Sequence, residues 1–86
     1  MAAIKTVLRQ IEHVERDQSK KIVSILFRRR DNSIARIVVG ANVRFGGIIC
    51  PVIGFKESKG RKRHYINPVI RINGRRRICR YSEIDF

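Results

Sequence analysis

The stretch Tyr65-Ile66-Asn67-Pro68-Val69-Ile70-Arg71-Ile72-Asn73-Gly74-Arg75-Arg76-Arg77-Ile78-Cys79-Arg80-Tyr81 decides the fold. Two arms bearing apolar residues flank Asn73-Gly74. Asn-Gly in such a setting is the strongest short hairpin signal, because both residues tolerate the positive φ of a type I′ turn. A two-residue turn here predicts that Ile72 pairs with Arg75, Arg71 with Arg76, Ile70 with Arg77 and Val69 with Ile78. Directly opposed residues share a face, so Arg71 and Arg76 lie side by side. Like charges in that position are destabilising. A chain carrying the pair is expected to meet something anionic. The alternative is that the two side chains splay into water. A bulge or a longer loop would change the register.

Upstream, Ile48 to Phe55 reads as another strand. Between it and the Tyr65–Ile72 arm, Lys56 to His64 reads as a loop with five basic residues, Lys56, Lys59, Arg61, Lys62 and Arg63. Pro51 and Pro68 each imply an edge or a bulge, since proline cannot donate to a ladder. Val43-Arg44-Phe45 opens this half, Gly46-Gly47 permits a bend, and Ser82 to Asp85 looks like a short helical turn. Nearer the N-terminus, Lys21–Arg29 and Ile34–Val39 read as a second hairpin around the turn residues Asp31-Asn32-Ser33. Arg28, Arg29 and Arg30 sit at its tip and Arg36 on its return arm.

Residues 2–16 place Ile4, Val7, Leu8, Ile11 and Val14 on one stripe of a helix. A helix is the first expectation. The alternative is an extended segment hairpinned onto the next strand, with Asp17 to Lys20 as the turn. The expected architecture is therefore mainly β in a single domain, a small barrel or two packed β-hairpins with a possible N-terminal helix. Residues 1–20 form an N-terminal helix or extended arm, 21–42 a hairpin, and 43–86 a β core.

At 86 residues the chain has room for one small core, because a domain of this size buries only a little over about 60% of its unfolded surface. Fourteen Ile and no Trp favour strands in that core. Twenty Lys and Arg face seven Asp and Glu, for a net charge of +13, and fourteen of the twenty are Arg. The Arg fork suits phosphate better than Lys does. A compact domain so charged repels itself unless a polyanion neutralises it. Nucleic acid is the first candidate. A membrane surface is the second, but no segment has the character of an interfacial helix. No secretory leader or transmembrane helix is expected. Cys50 and Cys79 are expected as buried, reduced thiols, which implies a cytoplasmic protein.

Catalytic constellations are absent from the sequence, and no enzyme activity is expected. Glu12 and Glu15 lie among Arg9 and Arg16 and read as surface ion pairs. No phosphate-binding loop of the Walker or dinucleotide type is present. Cys50, Cys79 and His64 lack the close spacing of zinc ligands, so no metal or cofactor is expected. His64 and Tyr65 read as part of the basic loop, offering faces to a base or sugar with Arg61 and Arg63 on phosphates. The bland alternative is a half-buried tyrosine at a strand start.

The pattern of strands and turns resembles the small SH3-like barrels of many ribosomal proteins. The matching pieces are Gly40 through Val43-Arg44-Phe45, Ile49 to Phe55, the basic loop, Pro68-Val69-Ile70-Arg71, Asn73-Gly74 and Tyr81-Ser82-Glu83-Ile84. They cover roughly the last 45 residues. The KOW-type version expects a glycine framed by apolar residues, which Gly46-Gly47 match loosely. The Ile- and Arg-rich composition resembles that of a thermophile, such as an archaeon. The resemblance implies ribosomal RNA binding through loops, without catalysis.

The expected partners are rRNA and neighbouring ribosomal proteins, with the large subunit favoured, and neither a membrane nor a small-molecule substrate. The expected contacts are Arg28, Arg29, Arg30, Arg44, Lys56, Lys59, Arg61, Lys62, Arg63, His64, Tyr65, Arg71, Arg75, Arg76, Arg77 and Arg80. They are expected to meet phosphates more than bases. Several of the six aromatic residues must fill the core, so a stacking platform is not expected. The alternative function is sequence-tolerant DNA binding by a chromatin or viral barrel. Cations spread over several faces favour RNA, and one flat basic face favours DNA. A third reading is a protein-binding module that uses an exposed strand edge.

Overall fold

A computed structural model describes residues 10–60 and 64–86 of the chain. The described residues form antiparallel strands and no α-helix. β1 (Ile11–Arg16), β2 (Ile22–Arg28) and β3 (Ile34–Val38) make a three-stranded sheet in the order β1-β2-β3. β4 (Asn42–Phe45), β5 (Ile48–Lys59), β6 (His64–Ile72), β7 (Arg75–Ile78) and β8 (Ile84–Asp85) make a five-stranded sheet in the order β7-β6-β5-β4-β8. A 3-10 turn at Tyr81–Glu83 leads into β8, where the sequence suggested a helical turn at 82–85.

The Asn73-Gly74 turn forms with φ of 53° and 74°. The register is the expected one, including Arg71 opposite Arg76. Gly46 and Gly47, at φ 56° and 85°, make a second two-residue turn that sets Phe45 opposite Ile48. The Asp31 carboxylate accepts from the Ser33 N–H at 2.9 Å and fixes the β2–β3 turn.

The helix expected over residues 2–16 is corrected from Ile11 onward, and residues 1–9 lie outside the described part. Ile11–Arg16 is a strand hairpinned onto β2 through Asp17–Lys20, with Lys20 N–H bonded to the Asp17 carbonyl at 2.9 Å. The cause is a register shift between Ile11 and His13. A bulge adds one residue to a strand. Ile11 opposite Phe27 and Val14 opposite Ile25 therefore point to the same face although three residues apart. The bulge converts a helical spacing into a strand face. A second shift, between Val52 and Gly54, does the same for Val52 and Phe55.

The barrel expectation is also corrected. No strand of one sheet pairs with a strand of the other. β1 and β3 are the edge strands of one sheet and β7 and β8 those of the other, and neither pair of edges joins to close a barrel. The sheets instead pack face to face. Ile25 and Ile37 from one meet Val52, Ile66 and Ile70 from the other in a common buried cluster. Phe27 of β2 stacks on Tyr81 with centroids 4.3 Å apart, and the Tyr81 hydroxyl donates to the Ile66 carbonyl at 2.8 Å. Burial pushes the Tyr81 hydroxyl well above its usual range. Cys50 and Cys79 are buried without a disulfide, and burial raises the Cys79 thiol.

The prolines behave differently from each other. At Pro51 the strand has β4 as its one partner, since pairing with β6 begins at Val52. Pro68 was expected at an edge or bulge, but β6 is central, between β5 and β7. The Cys79 N–H donates to the Pro68 carbonyl at 2.9 Å. In an antiparallel pair the return bond would run from the residue-68 N–H to the Cys79 carbonyl, and proline has no such donor. The Asn67 side-chain amide donates to that carbonyl instead, at 3.2 Å, and Asn67 is buried. Asn67→Ala is expected to lower stability by about 1–3 kcal/mol, the usual cost of an orphaned buried polar group. Pro68→Ala restores an N–H at that point, so Asn67→Ala should cost less in the Pro68→Ala background. Urea midpoints of the four chains check this, and equal costs in both backgrounds would contradict the substitution of one donor for the other.

Candidate nucleic-acid interface

The placement of the acids decides which cations remain uncompensated. Glu12 accepts from Arg28 Nε at 2.8 Å, and Glu15 lies 3.5 Å from Arg36. Both pairs cross strands of the three-stranded sheet rather than lying along a helix face; Arg16 pairs with Glu57 instead, and Arg9 lies outside the described residues. Asp17 and Asp31 accept from Ser19 and Ser33 in the two turns of that sheet. The Arg28 hydrogen bond holds the Glu12 carboxyl below its usual range. The serine hydroxyls do the same for Asp17 and Asp31.

Glu57 ties the two sheets together. Its carboxylate accepts from Arg16 of β1 at 3.0 Å, and His64 Nε2 lies on the same oxygen. Arg16 is the larger cause of its lowered pKa, with His64 adding to it and burial opposing. Glu83 accepts from the Arg80 N–H at 2.8 Å and lies 3.8 Å from the Arg77 guanidinium, which also covers the Phe45 ring. Arg29 stacks on Phe86, 4.9 Å from the ring centroid, and donates to the Phe86 main-chain oxygen.

Several expected contact residues are therefore engaged within the fold: Arg28, Arg29, Arg77 and His64. Arg61, Lys62 and Arg63 lie outside the described residues. The strands extend into the stretch expected as a basic loop, since β5 runs on to Lys59 and β6 begins at His64. Lys56 and Lys59 are strand residues, opposite Asn67 and His64. Strand alternation of apolar residues fails there because this end of the hairpin carries mostly polar and charged side chains. The strand signal is then in the pairing alone.

Several of the remaining cations gather on one surface. The ladders put Lys56, Tyr65, Asn67, Val69, Arg71, Arg76 and Ile78 on the face of the five-stranded sheet opposite to Ile66 and Ile70, with Asn67 and Val69 themselves buried. Arg80 joins them at the end of β7, and Arg44 and Ile49 extend the face across β4 and β5. Lys56, Arg71, Arg76 and Arg80 are exposed, and no carboxylate lies within salt-bridge distance of them among the described residues. Arg44 faces Asp85 across the β4–β8 pair without forming a salt bridge. Ile49 and Ile78 are large exposed apolar residues on this same face. Lys59, Arg75 and Arg30 are exposed elsewhere, at the ends of the β5–β6, β6–β7 and β2–β3 hairpins. The contribution of Ile49 and Ile78 is invisible to a charge count and shows only through the register.

Among the described residues no group of three or more His, Cys, Asp or Glu is placed to hold a metal ion. No described helix is long and apolar enough to cross a membrane.

The Glu57 pairing has a pH signature. A carboxyl depressed in the folded chain stabilises it above the unfolded carboxylate range, and that contribution is lost as pH falls through the folded value. Glu12, Asp17 and Asp31 act in the same direction. The urea midpoint is expected to fall between about pH 5 and pH 3. Arg16→Gln should make that fall shallower by removing the main cause of the Glu57 shift. A slope unchanged in Arg16→Gln would contradict the assignment.

Compared with protein-family models, curated proteins and solved structures, the chain matches none.

Proposed function

We propose that this protein binds structured RNA through phosphate contacts, as a structural component of a ribonucleoprotein such as the ribosome, without catalysis. The observation that carries the proposal is the outer face of the five-stranded sheet, where Arg71 and Arg76 lie directly opposed with Lys56 and Arg80 nearby. Directly opposed like charges lower stability in the free chain. A phosphate backbone placed over them reverses the sign of that interaction and releases its own condensed counterions. Positioning by phosphates needs little sequence reading.

A second reading has a specific observation in its favour. Cations concentrated on one face, with Ile49 and Ile78 exposed among them, suit a duplex DNA groove and an apolar wedge. The additional cations at the hairpin ends, Arg30, Lys59 and Arg75, extend the basic surface away from that face. Such a surface suits an irregular RNA better than a regular groove, and this favours RNA.

Four phosphate contacts give a slope of log affinity against log salt of about −4. Arg71→Gln with Arg76→Gln should make this slope shallower by about 2. The same double change should raise the urea midpoint of the free chain, by about 0.5 kcal/mol in stability. A log–log salt slope near zero for the isolated chain on a structured RNA, or a double variant less stable than the parent, would contradict the proposal. Sucrose-gradient fractionation of a native lysate checks the ribosomal setting. The chain is expected to comigrate stoichiometrically with a ribosomal subunit through a high-salt wash, with the large subunit favoured. Recovery with the nucleoid would favour DNA.

A further inference from the structure

The outer sheet face is not flat. Between the end of the β5–β6 hairpin and the segment that follows β7 it holds a groove of about 330 Å³, lined by Lys56, Ser58, Tyr65, Ile78, Arg80 and Glu83 among others. We infer that this groove seats an unpaired RNA nucleotide, with its base on Tyr65 and Ile78 and its flanking phosphates on Lys56 and Arg80. The inference rests on the RNA-binding reading and specifies a site within it.

Three observations converge on that occupant. The first is an aromatic ring in the groove wall. Tyr65 is half-buried on the outer face, where its ring can line a groove. The second is the charge around it. The Glu83 carboxylate in the groove accepts from the Arg80 N–H and sits beside Arg77, so the groove remains cationic through Lys56 and Arg80. The third is the apolar wall. Ile78 is 53% exposed at the edge strand, on the same side as Tyr65. An aromatic ring, an aliphatic wall and two separated cations are the elements that hold a base and its phosphates. A duplex keeps its bases stacked inside and offers the groove phosphates alone.

The test uses the full chain and two fluorescently labelled probes, decauridylate and an abasic ribose-phosphate decamer of equal charge, with affinities read by anisotropy at fixed salt. The parent chain is expected to bind decauridylate about tenfold more tightly, the scale of one stacked base. Tyr65→Leu should bring the ratio close to one, and Tyr65→Phe should retain it while showing that the fold accepts a ring there. A parent ratio close to one, with both probes bound in a salt-sensitive manner, would overturn the groove and leave the RNA reading standing. A tenfold ratio that persists in Tyr65→Leu would also overturn it. Failure to bind either probe or a structured RNA would overturn both readings.

Discussion

Seven carboxylates must serve twenty cations, and the fold places four of the seven on the three-stranded sheet and its turns. That placement governs the surface. Glu12 and Glu15 neutralise Arg28 and Arg36, and Glu57 takes Arg16 and His64 at the junction of the sheets. Glu83 is held near Arg77. The outer face of the five-stranded sheet receives little of this compensation, and its guanidinium groups stand next to one another. The individual ion pairs are partly exposed and stabilise weakly. Their larger effect is to decide which arginines are occupied within the chain and which face outward.

A face of opposed cations requires a scaffold that tolerates the repulsion. Here the scaffold is a buried interface between two sheets, with Ile25, Ile37, Ile66 and Ile70 at its centre and the Phe27–Tyr81 stack at one end. Each fully buried Ile contributes about 1.5–3 kcal/mol relative to exposure, so a few such residues outweigh the repulsion of one arginine pair. The central strand β6 supplies both sides. Ile66 and Ile70 point into the core, and Tyr65 and Arg71 point outward. Asn67 keeps that strand paired across Pro68, so a proline in the middle of the sheet leaves the ladder continuous.

How far the sequence is legible depends on whether a signal is local. The Asn73-Gly74 hairpin and the Arg71–Arg76 opposition follow from turn chemistry, and the structure has the same register. The β2–β3 hairpin was equally readable. Ile11 and Val14 misled because a bulge places residues three apart on one strand face, which copies the spacing of a helix. The closed barrel failed on a long-range matter, namely whether the edge strands β7 and β8 of the five-stranded sheet meet each other. For the candidate site, the arginine runs named most of the cations. They could not separate Arg28, which reaches Glu12 from another strand, from Arg76, which has no such carboxylate. Lys56 read as a loop residue and Tyr65 as a loop residue or a strand start, and only their pairing shows them sharing a face with Arg80.

The most direct test of the central claim is to follow the arginine side-chain Nε–Hε signals by NMR while a structured RNA is titrated into the labelled chain at moderate salt. Guanidinium groups that take phosphate move, and those already held by a carboxylate within the fold stay. The account predicts that Arg71, Arg76 and Arg80 shift first, with Arg28 and Arg36 nearly still. Early shifts of Arg28 and Arg36, with Arg71 and Arg76 unmoved, would contradict it and place the interface on the three-stranded sheet.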